Sequence, residues 1–252
     1  MPPFGSPGQV TWPINTPGIR LLELKGLEGD DAFTIAGNHP FNFGGAPGIF
    51  VEGGDPDNGS DVLNFNGSGA AIVADLALRT VSEANPVSFS GIETVNIDSA
   101  TADLRVNTSA ANTIAVNVPG NTISDGVLET VNFTAGTKAL QVFGEEGNDT
   151  FTVTSGAIPV FIDGGDPIGV LPGDLLTVLG AVGFFTGPEN DEGGFLTGGA
   201  NVSFDHIESL AAVGLAACPF LILGTGGDDD ITVIARDALT HVGANGVQDL
   251  RQ

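Results

Sequence analysis

Three nine-residue segments of the chain align with one another without a gap, and this recurrence limits the possible folds more than any other feature. The segments are GLEGDDAFT from Gly26, GEEGNDTFT from Gly144 and GTGGDDDIT from Gly224. Glycines, an aspartate and a large apolar residue occupy matching positions in each. Such recurrence indicates an array of similar units whose copies pack against one another.

Two further elements recur around these nonamers. GIETVNI begins at Gly91, VLETVNF at Val127 and HIESLAA at His206, while FVEGGDP ends at Pro56 and FIDGGDP at Pro167. The order nonamer, GGDP and IET occurs twice, with a partial copy between the two and another after them. We interpret the aligned glutamates as markers of register rather than as ligands: Glu93, Glu129 and Glu208.

Apolar residues alternate with polar ones around the repeated elements, as in Phe33 and Ile35 or Phe151 and Val153. A period of two indicates half-buried strands, and 38 glycines suit frequent turns better than helices. Only residues 72–82 (IVADLALRTVS) could form a short helix. The pattern predicts an all-β fold, a right-handed parallel β-solenoid or related β-roll, with tandem β-sandwich modules as the alternative.

The chain divides into a short arm and one repetitive domain. Residues 1–20 are rich in proline and glycine, which favours an extended arm, and residues 21–252 form a single repetitive β domain. Trp12, the only tryptophan, lies in the arm and is predicted to contact a neighbouring subunit. Neither end of the domain resembles a polar cap, so the ends are predicted to stack between subunits in a homopolymer.

The charge of the chain excludes some partners and favours others. There are 7 Lys and Arg residues against 31 Asp and Glu residues, a formal net charge of −24. Nucleic acids are excluded because their phosphates bind through basic arrays, and anionic membranes are disfavoured likewise. The sequence contains no run of about 18 apolar residues, so insertion into a membrane is not predicted. Clustered carboxylates favour binding of hard divalent cations.

The nonamers resemble the GGxGxDxUx repeat of RTX, or haemolysin-type, calcium-binding proteins. That family folds as a parallel β-roll with calcium held between successive loops. The resemblance implies that Asp31, Asp149 and Asp229 are calcium ligands. The broader recurrence looks like that of large repetitive bacterial surface proteins, which implies a secreted or cell-surface protein.

The two GGDP loops add further candidate ligands, because GGDPDNGSD places several oxygens around one short turn. Aspartate after glycine is also an ordinary turn former, which is the alternative interpretation. The complete set of candidate calcium ligands is Asp30, Asp31, Asp55, Asp57, Asp61, Asn148, Asp149, Asp166, Asp174, Asp228 and Asp229.

Catalytic signatures are missing from the sequence. Three histidines, His39, His206 and His241, are scattered, and neither GxSxG nor HExxH occurs. We therefore predict that the protein is not an enzyme but a calcium-stabilised extracellular structural protein, forming or decorating a surface fibre or layer by subunit stacking. The alternatives are a calcium-dependent adhesion module that binds surface glycans and a carbohydrate-active β-helix enzyme.

Overall fold

A computed structural model describes residues 18–44, 46–55, 61–109, 112–170, 173–189, 191–214, 221–223, 231–236, 239–244 and 247–251. These residues form strands and no helix, which confirms the all-β prediction for the part of the chain that is described. The strands are β1 (Leu22–Glu28), β2 (Ala32–Ala36), β3 (Asn42–Phe43), β4 (Ala46–Pro47), β5 (Ile49–Asp55), β6 (Val62–Asn66), β7 (Ile72–Asp75), β8 (Thr80–Ser82), β9 (Pro86–Ser90), β10 (Thr94–Asp98), β11 (Leu104–Asn107), β12 (Thr113–Asn117), β13 (Thr122–Ser124), β14 (Thr130–Phe133), β15 (Leu140–Phe143), β16 (Thr150–Thr154), β17 (Val160–Asp163), β18 (Leu175–Thr186), β19 (Gly193–Thr197), β20 (Val202–Asp205), β21 (Ser209–Gly214), β22 (Leu221–Leu223), β23 (Ile231–Arg236), β24 (Leu239–Ala244) and β25 (Val247–Arg251).

All of these strands except β3 and β4 join one sheet, which is mostly parallel and coils until it is almost closed. The solenoid-like part of the fold prediction is thereby confirmed. The chain alternates between two rows of hydrogen-bonded strands that meet at the long strand β18. In order of pairing, row I contains β1, β5, β9, β8, β7, β11, β15, β17, β20, β19, the second half of β18 and β22. Row II contains β2, β6, β10, β14, β13, β12, β16, the first half of β18, β21, β25, β24 and β23.

Four strands, β8, β13, β19 and β24, run antiparallel between strands that are otherwise parallel. Residues 72–82, for which a short helix was considered, form the hairpin of β7 and β8. Ile72, Ala74 and Val81 are buried on one side of that hairpin, as period two requires. The Asp75 carboxylate accepts the backbone N–H of Leu78 at 2.8 Å, which favours a tight turn over a helix.

The side chains on the inner sides of both rows form one hydrophobic core, which extends from Ile35 to Leu210 among the described residues. The parallel register places similar residues next to each other along the stack, as with Val95 beside Val131 and Leu104 beside Leu140. Complete burial of each such side chain contributes roughly 1.5–3 kcal/mol of transfer free energy. Stacking of equivalent apolar positions therefore stabilises the coil, and each repeat depends on its neighbours.

The loops that carry the chain from a row I strand to the next row II strand lie along one edge of the coil. They follow β1, β5, β9, β11, β15, β17 and β20, and they are adjacent because the strands they connect are paired in parallel. Most of the candidate ligands lie in these loops. We call this side of the molecule the acidic edge.

Candidate functional site

One polar residue immediately precedes almost every strand of row II at the acidic edge. The nonamer aspartates, the aspartates after GGDP and the IET glutamates all occupy this position. The residues and the strands they precede are Asp31 (β2), Asp61 (β6), Glu93 (β10), Glu129 (β14), Asn112 (β12), Asp149 (β16), Asp174 (β18) and Glu208 (β21).

In the first part of the chain these carboxylates form a ladder of hydrogen bonds from strand to strand. The backbone N–H of Asp31 donates to Oδ1 of Asp61 at 2.7 Å, and the backbone N–H of Asp61 donates to Oε2 of Glu93 at 2.9 Å. Hydrogen bonds to an ionised acceptor are about twice as strong as neutral ones. The ladder therefore fixes the register at which successive row II strands begin.

The same ladder recurs in the second part of the chain. Asn112 N–H donates to Oδ1 of Asp149 at 2.6 Å, Asp149 N–H to Oδ1 of Asp174 at 2.6 Å, and Asp174 N–H to Oε2 of Glu208 at 2.7 Å. Glu208 also accepts the N–H of Gly169 at 2.6 Å. The two copies of the repeated sequence thus build the same structure.

The second oxygen of each ladder aspartate lies against a glycine that precedes the loop. Oδ2 of Asp61, Asp149 and Asp174 is buried and has no hydrogen-bond partner among the described residues. A Cβ on the paired glycine would meet both this oxygen and a backbone carbonyl from the next strand. Glycine is required there by close approach of the backbone. These glycine–aspartate pairs are Gly26 with Asp31, Gly53 with Asp61, Gly144 with Asp149, and Gly164 with Asp174.

Two of the ladder carboxyls have strongly perturbed acidity. Burial raises the pKa of Asp149 to about 6, against the opposing effect of the hydrogen bond from Asn112. Burial also raises the pKa of Asp174 to about 6, and the nearby charges of Asp149, Glu208 and Asp163 act in the same direction. Both groups are ionised near neutral pH at a cost to the folded state.

This burial predicts a pH dependence of stability. An unfolded Asp ionises near pH 4, so between about pH 4 and 6 the folded state binds more protons, and the free energy of unfolding falls as pH rises. We expect stability in EDTA to increase by about 1–2 kcal/mol from pH 7 to pH 5. Urea titrations at each pH measure it. The isosteric variant Asp149→Asn with Asp174→Asn serves as control and should lose most of the increase, and an equal increase in both proteins would contradict the assignment.

Two equivalent depressions open beside the two ladders, on the outer side of row I. The first has a volume of about 390 Å³ and the second about 340 Å³. The first is lined by Lys25, Leu27, Glu52, Gly54, Asp55, Ser90 and Gly91. The second is lined by Arg105, Phe143, Glu145, Glu146, Asp163, Gly165, Asp166, Ile168 and His206.

The second depression carries more charged groups than the first. The Arg105 guanidinium lies 3.6 Å from the centroid of the Phe143 ring and 3.9 Å from Oε1 of Glu145. Nδ1 of His206 lies 2.9 Å from Oδ1 of Asp163. Burial alone would lower the pKa of His206, but this hydrogen bond and nearby carboxylates, Asp205 among them, raise it overall. The depression is a polar, predominantly anionic surface.

The candidate ligands fall into three groups. Asp61, Asp149 and Asp174 are buried in the ladder and Asp31 is half-buried there, whereas Asp30, Asp55, Asn148 and Asp166 are exposed at the acidic edge. Asp57, Asp228 and Asp229 lie outside the described residues, as does Trp12, which was predicted to contact a neighbouring subunit. Within the described ranges, no three His, Cys, Asp or Glu side chains are grouped so that they could hold a metal ion.

Sequence reasoning missed several residues of the site. Glu145, Glu146, Asp163 and His206 come together only because β15, β17 and β20 are neighbours in row I. The alignment of FVEGGDP with FIDGGDP contained a signal for one of them, since it places Asp163 at the position of Glu52.

Comparison of the chain with protein-family models found no match, and neither curated proteins nor solved structures matched it. In the part of the chain that the structure covers, no helix has the length and hydropathy needed to cross a membrane.

Proposed function

We propose that the protein is an extracellular structural protein, a right-handed solenoid-like module at the bacterial cell surface that is stabilised by calcium and assembles by stacking of subunits. The observation that carries this proposal is the acidic edge, where two copies of one repeat bring carboxylates into equivalent depressions. A scaffold whose repeats share the same ladder of hydrogen bonds suits a structural role better than a catalytic one.

The residues at the depressions fit the ligand chemistry of calcium. Calcium prefers oxygen donors in flexible arrangements, and exposed carboxylates can move toward an ion at little cost. In the first depression the exposed Asp55 would hold the ion together with Glu52, which would give up its 2.7 Å ion pair with Lys25. In the second depression the exposed Glu146 and Asp166 would do so with the half-buried Asp163, whose Oδ1 also contacts His206. A bound ion would reduce the repulsion between these carboxylates and link neighbouring row I strands.

The buried ladder aspartates have a different place in this proposal. Their Oδ1 atoms already accept backbone N–H groups, and their Oδ2 atoms lie against glycines. They would position the loops, and the acids that line the depressions would bind the ion. Calcium at the depressions would also lower the electrostatic cost of ionised Asp149 and Asp174 nearby.

The first strands of the coil support assembly by stacking. Within the described residues, β1 pairs only with β5 and β2 only with β6, so one edge of each strand has no partner strand. The side chains of Leu21 and Leu27 are 53% and 70% exposed. Those of Leu24 and Phe33 pack against the core but are only partly buried. An open strand edge beside exposed apolar residues is a template for pairing with another chain.

A glycan-binding adhesion role is the second candidate. Phe143 and Phe161 project from the outer side of row I, with ring centroids 6.0 Å apart, next to the carboxylates of the second depression. Aromatic rings beside polar groups suit the apolar faces and hydroxyls of sugars. Binding of a glycan that is lost in Phe143→Ala and retained in Phe50→Ala would favour this candidate.

Thermal unfolding with added calcium tests the proposal. We expect calcium, and not magnesium, to raise the melting temperature of EDTA-treated protein, because a ligand that binds only the folded state stabilises it by RT ln(1+[L]/Kd). At a calcium concentration 100 times Kd the gain is about 2.7 kcal/mol.

The variant Asp55→Asn with Asp166→Asn should lose most of this response. A matched control, Asp98→Asn with Asp103→Asn, removes two carboxylates away from the acidic edge and should respond as the wild type does. An absent calcium response in the wild type, or an equal response in both variants, would contradict calcium binding at the depressions.

A further inference from the structure

From β2 to β21, where the side chains are described, the outer face of row II is almost free of charge. Alternation along each strand places these side chains outward, since their neighbours are buried. From β2 to β21 the outward residues are Ala32, Thr34, Ala36, Val62, Asn64, Asn66, Thr94, Asn96, Asp98, Thr130, Asn132, Thr122, Ser124, Thr113, Ala115, Asn117, Thr150, Thr152, Thr154, Leu175, Thr177, Leu179, Ser209 and Ala211. Asp98 is the single charged residue among them.

The outer face of row I is different. It carries the charged side chains Glu23, Lys25, Glu52, Arg105 and Asp163 at outward positions. In a chain with a net charge of −24, random placement of acids would put several on row II as well. The segregation of charge away from one face of the coil is therefore a specific property of that face.

Hydrogen bonds link the outward asparagines of three neighbouring row II strands. Asn96 Nδ2 donates to Oδ1 of Asn64 at 2.9 Å, and Asn132 Nδ2 donates to Oδ1 of Asn96 at 2.8 Å, which makes a continuous amide ladder across three strands. Threonine, whose χ1 is restricted, fills the central positions of β16 and β18. Such a surface loses little conformational entropy when it is covered.

We propose that the outer face of row II is an interface between two copies of this chain. Two molecules of charge −24 repel each other wherever acidic surfaces meet, and this face is where they can approach without direct repulsion. The same patch on both copies forms an isologous, two-fold contact. Ladders of asparagine side chains occur in tightly packed interfaces between paired sheets.

The size of the face suits such a contact. Nine strands spaced about 4.8 Å apart, with about 3.3 Å per residue over five residues, cover roughly 700 Å². A stable interface buries about 800 Å² on each partner. This pairing is lateral and requires no calcium, so it is separate from stacking at β1 and β2 and would join stacked rods side by side.

Light scattering coupled to size-exclusion chromatography in EDTA tests the pairing. We expect the wild-type chain to have the mass of a dimer at micromolar concentration. The variant Thr94→Glu with Thr152→Glu should be a monomer, because facing like charges raise the dimer dissociation constant at least about 100-fold. The control Gln141→Glu with Ser203→Glu adds the same charge to the outer side of row I and should remain a dimer. Circular dichroism confirms that each variant is folded.

A wild-type chain that is monomeric at all concentrations up to about 100 μM would overturn the proposal. A series of larger masses that is unchanged by Thr94→Glu with Thr152→Glu would also overturn it, since association would then occur at the strand edges instead. Dimers without a calcium response would support lateral pairing and contradict the proposed function. A calcium response without dimers would do the reverse.

Discussion

Replacement of Gly164 by alanine is expected to lower the free energy of unfolding by about 3 kcal/mol. The new methyl group would lie 2.5 Å from Oδ2 of Asp174 and closer still to the carbonyl oxygen of His206. Asp174 is held in place by the ladder, and the His206 carbonyl belongs to the backbone between β20 and β21, so neither can move without shifting a strand. The loss arises from overpacking alone, because Gly164 is not among the residues with a left-handed backbone conformation.

Gly198 provides the matched control. A Cβ on Gly198 would meet no atom within 4 Å, and its backbone is also not left-handed. Gly198→Ala should therefore change stability by less than about 1 kcal/mol. Urea unfolding in EDTA, followed by circular dichroism, measures both variants. Equal stabilities of Gly164→Ala and Gly198→Ala would contradict the close contact between Gly164 and the Asp174 carboxylate.

Asp174→Ala is also expected to lower the free energy of unfolding by about 3 kcal/mol. The carboxyl of Asp174 is fully buried, and its Oδ1 accepts the N–H of Asp149 at 2.6 Å. Alanine leaves that buried donor without a partner, which costs about 1–3 kcal/mol, and the lost volume adds a cavity. The measurement is again urea unfolding at pH 7.5 in EDTA.

Asp174→Asn separates the hydrogen bond from the charge. The asparagine oxygen can still accept the Asp149 N–H, while the buried charge and its raised pKa are removed. We expect this variant to be at least as stable as the wild type at pH 7.5 and to keep its calcium response. Loss of the calcium response in Asp174→Asn would identify Asp174 as a ligand and contradict a purely structural role.

The strands were predictable because burial of one side imposes a period of two on residues such as Phe151 and Val153. Their pairing was not, because four antiparallel strands separate parallel ones and no local pattern specifies that insertion. Residues 72–82 show the difficulty, since their apolar spacing fits one helical turn as well as the hairpin of β7 and β8. Tertiary packing of Ile72 and Val81 decides between them.

The repeated glycine and aspartate positions were predictable as a structural unit, but the geometry of each side chain was not. The loop after Gly26 returns to Asp31 in five residues, whereas the loop after Gly164 needs ten to reach Asp174, yet both pairs have the same contact. Whether an aspartate turns inward or outward depends on the glycine and the neighbouring strand. The resemblance to calcium-binding repeats does not contain that information.

Isothermal titration calorimetry with calcium is the most direct test of the calcium-stabilised structural account. Because the two depressions are equivalent, we predict two ions per chain, with a dissociation constant of about 10⁻⁴ to 10⁻³ M, the range of extracellular calcium modules. Asp55→Asn or Asp166→Asn alone should each reduce the number to one. No saturable binding by the wild-type chain at calcium concentrations up to about 10 mM would contradict the account.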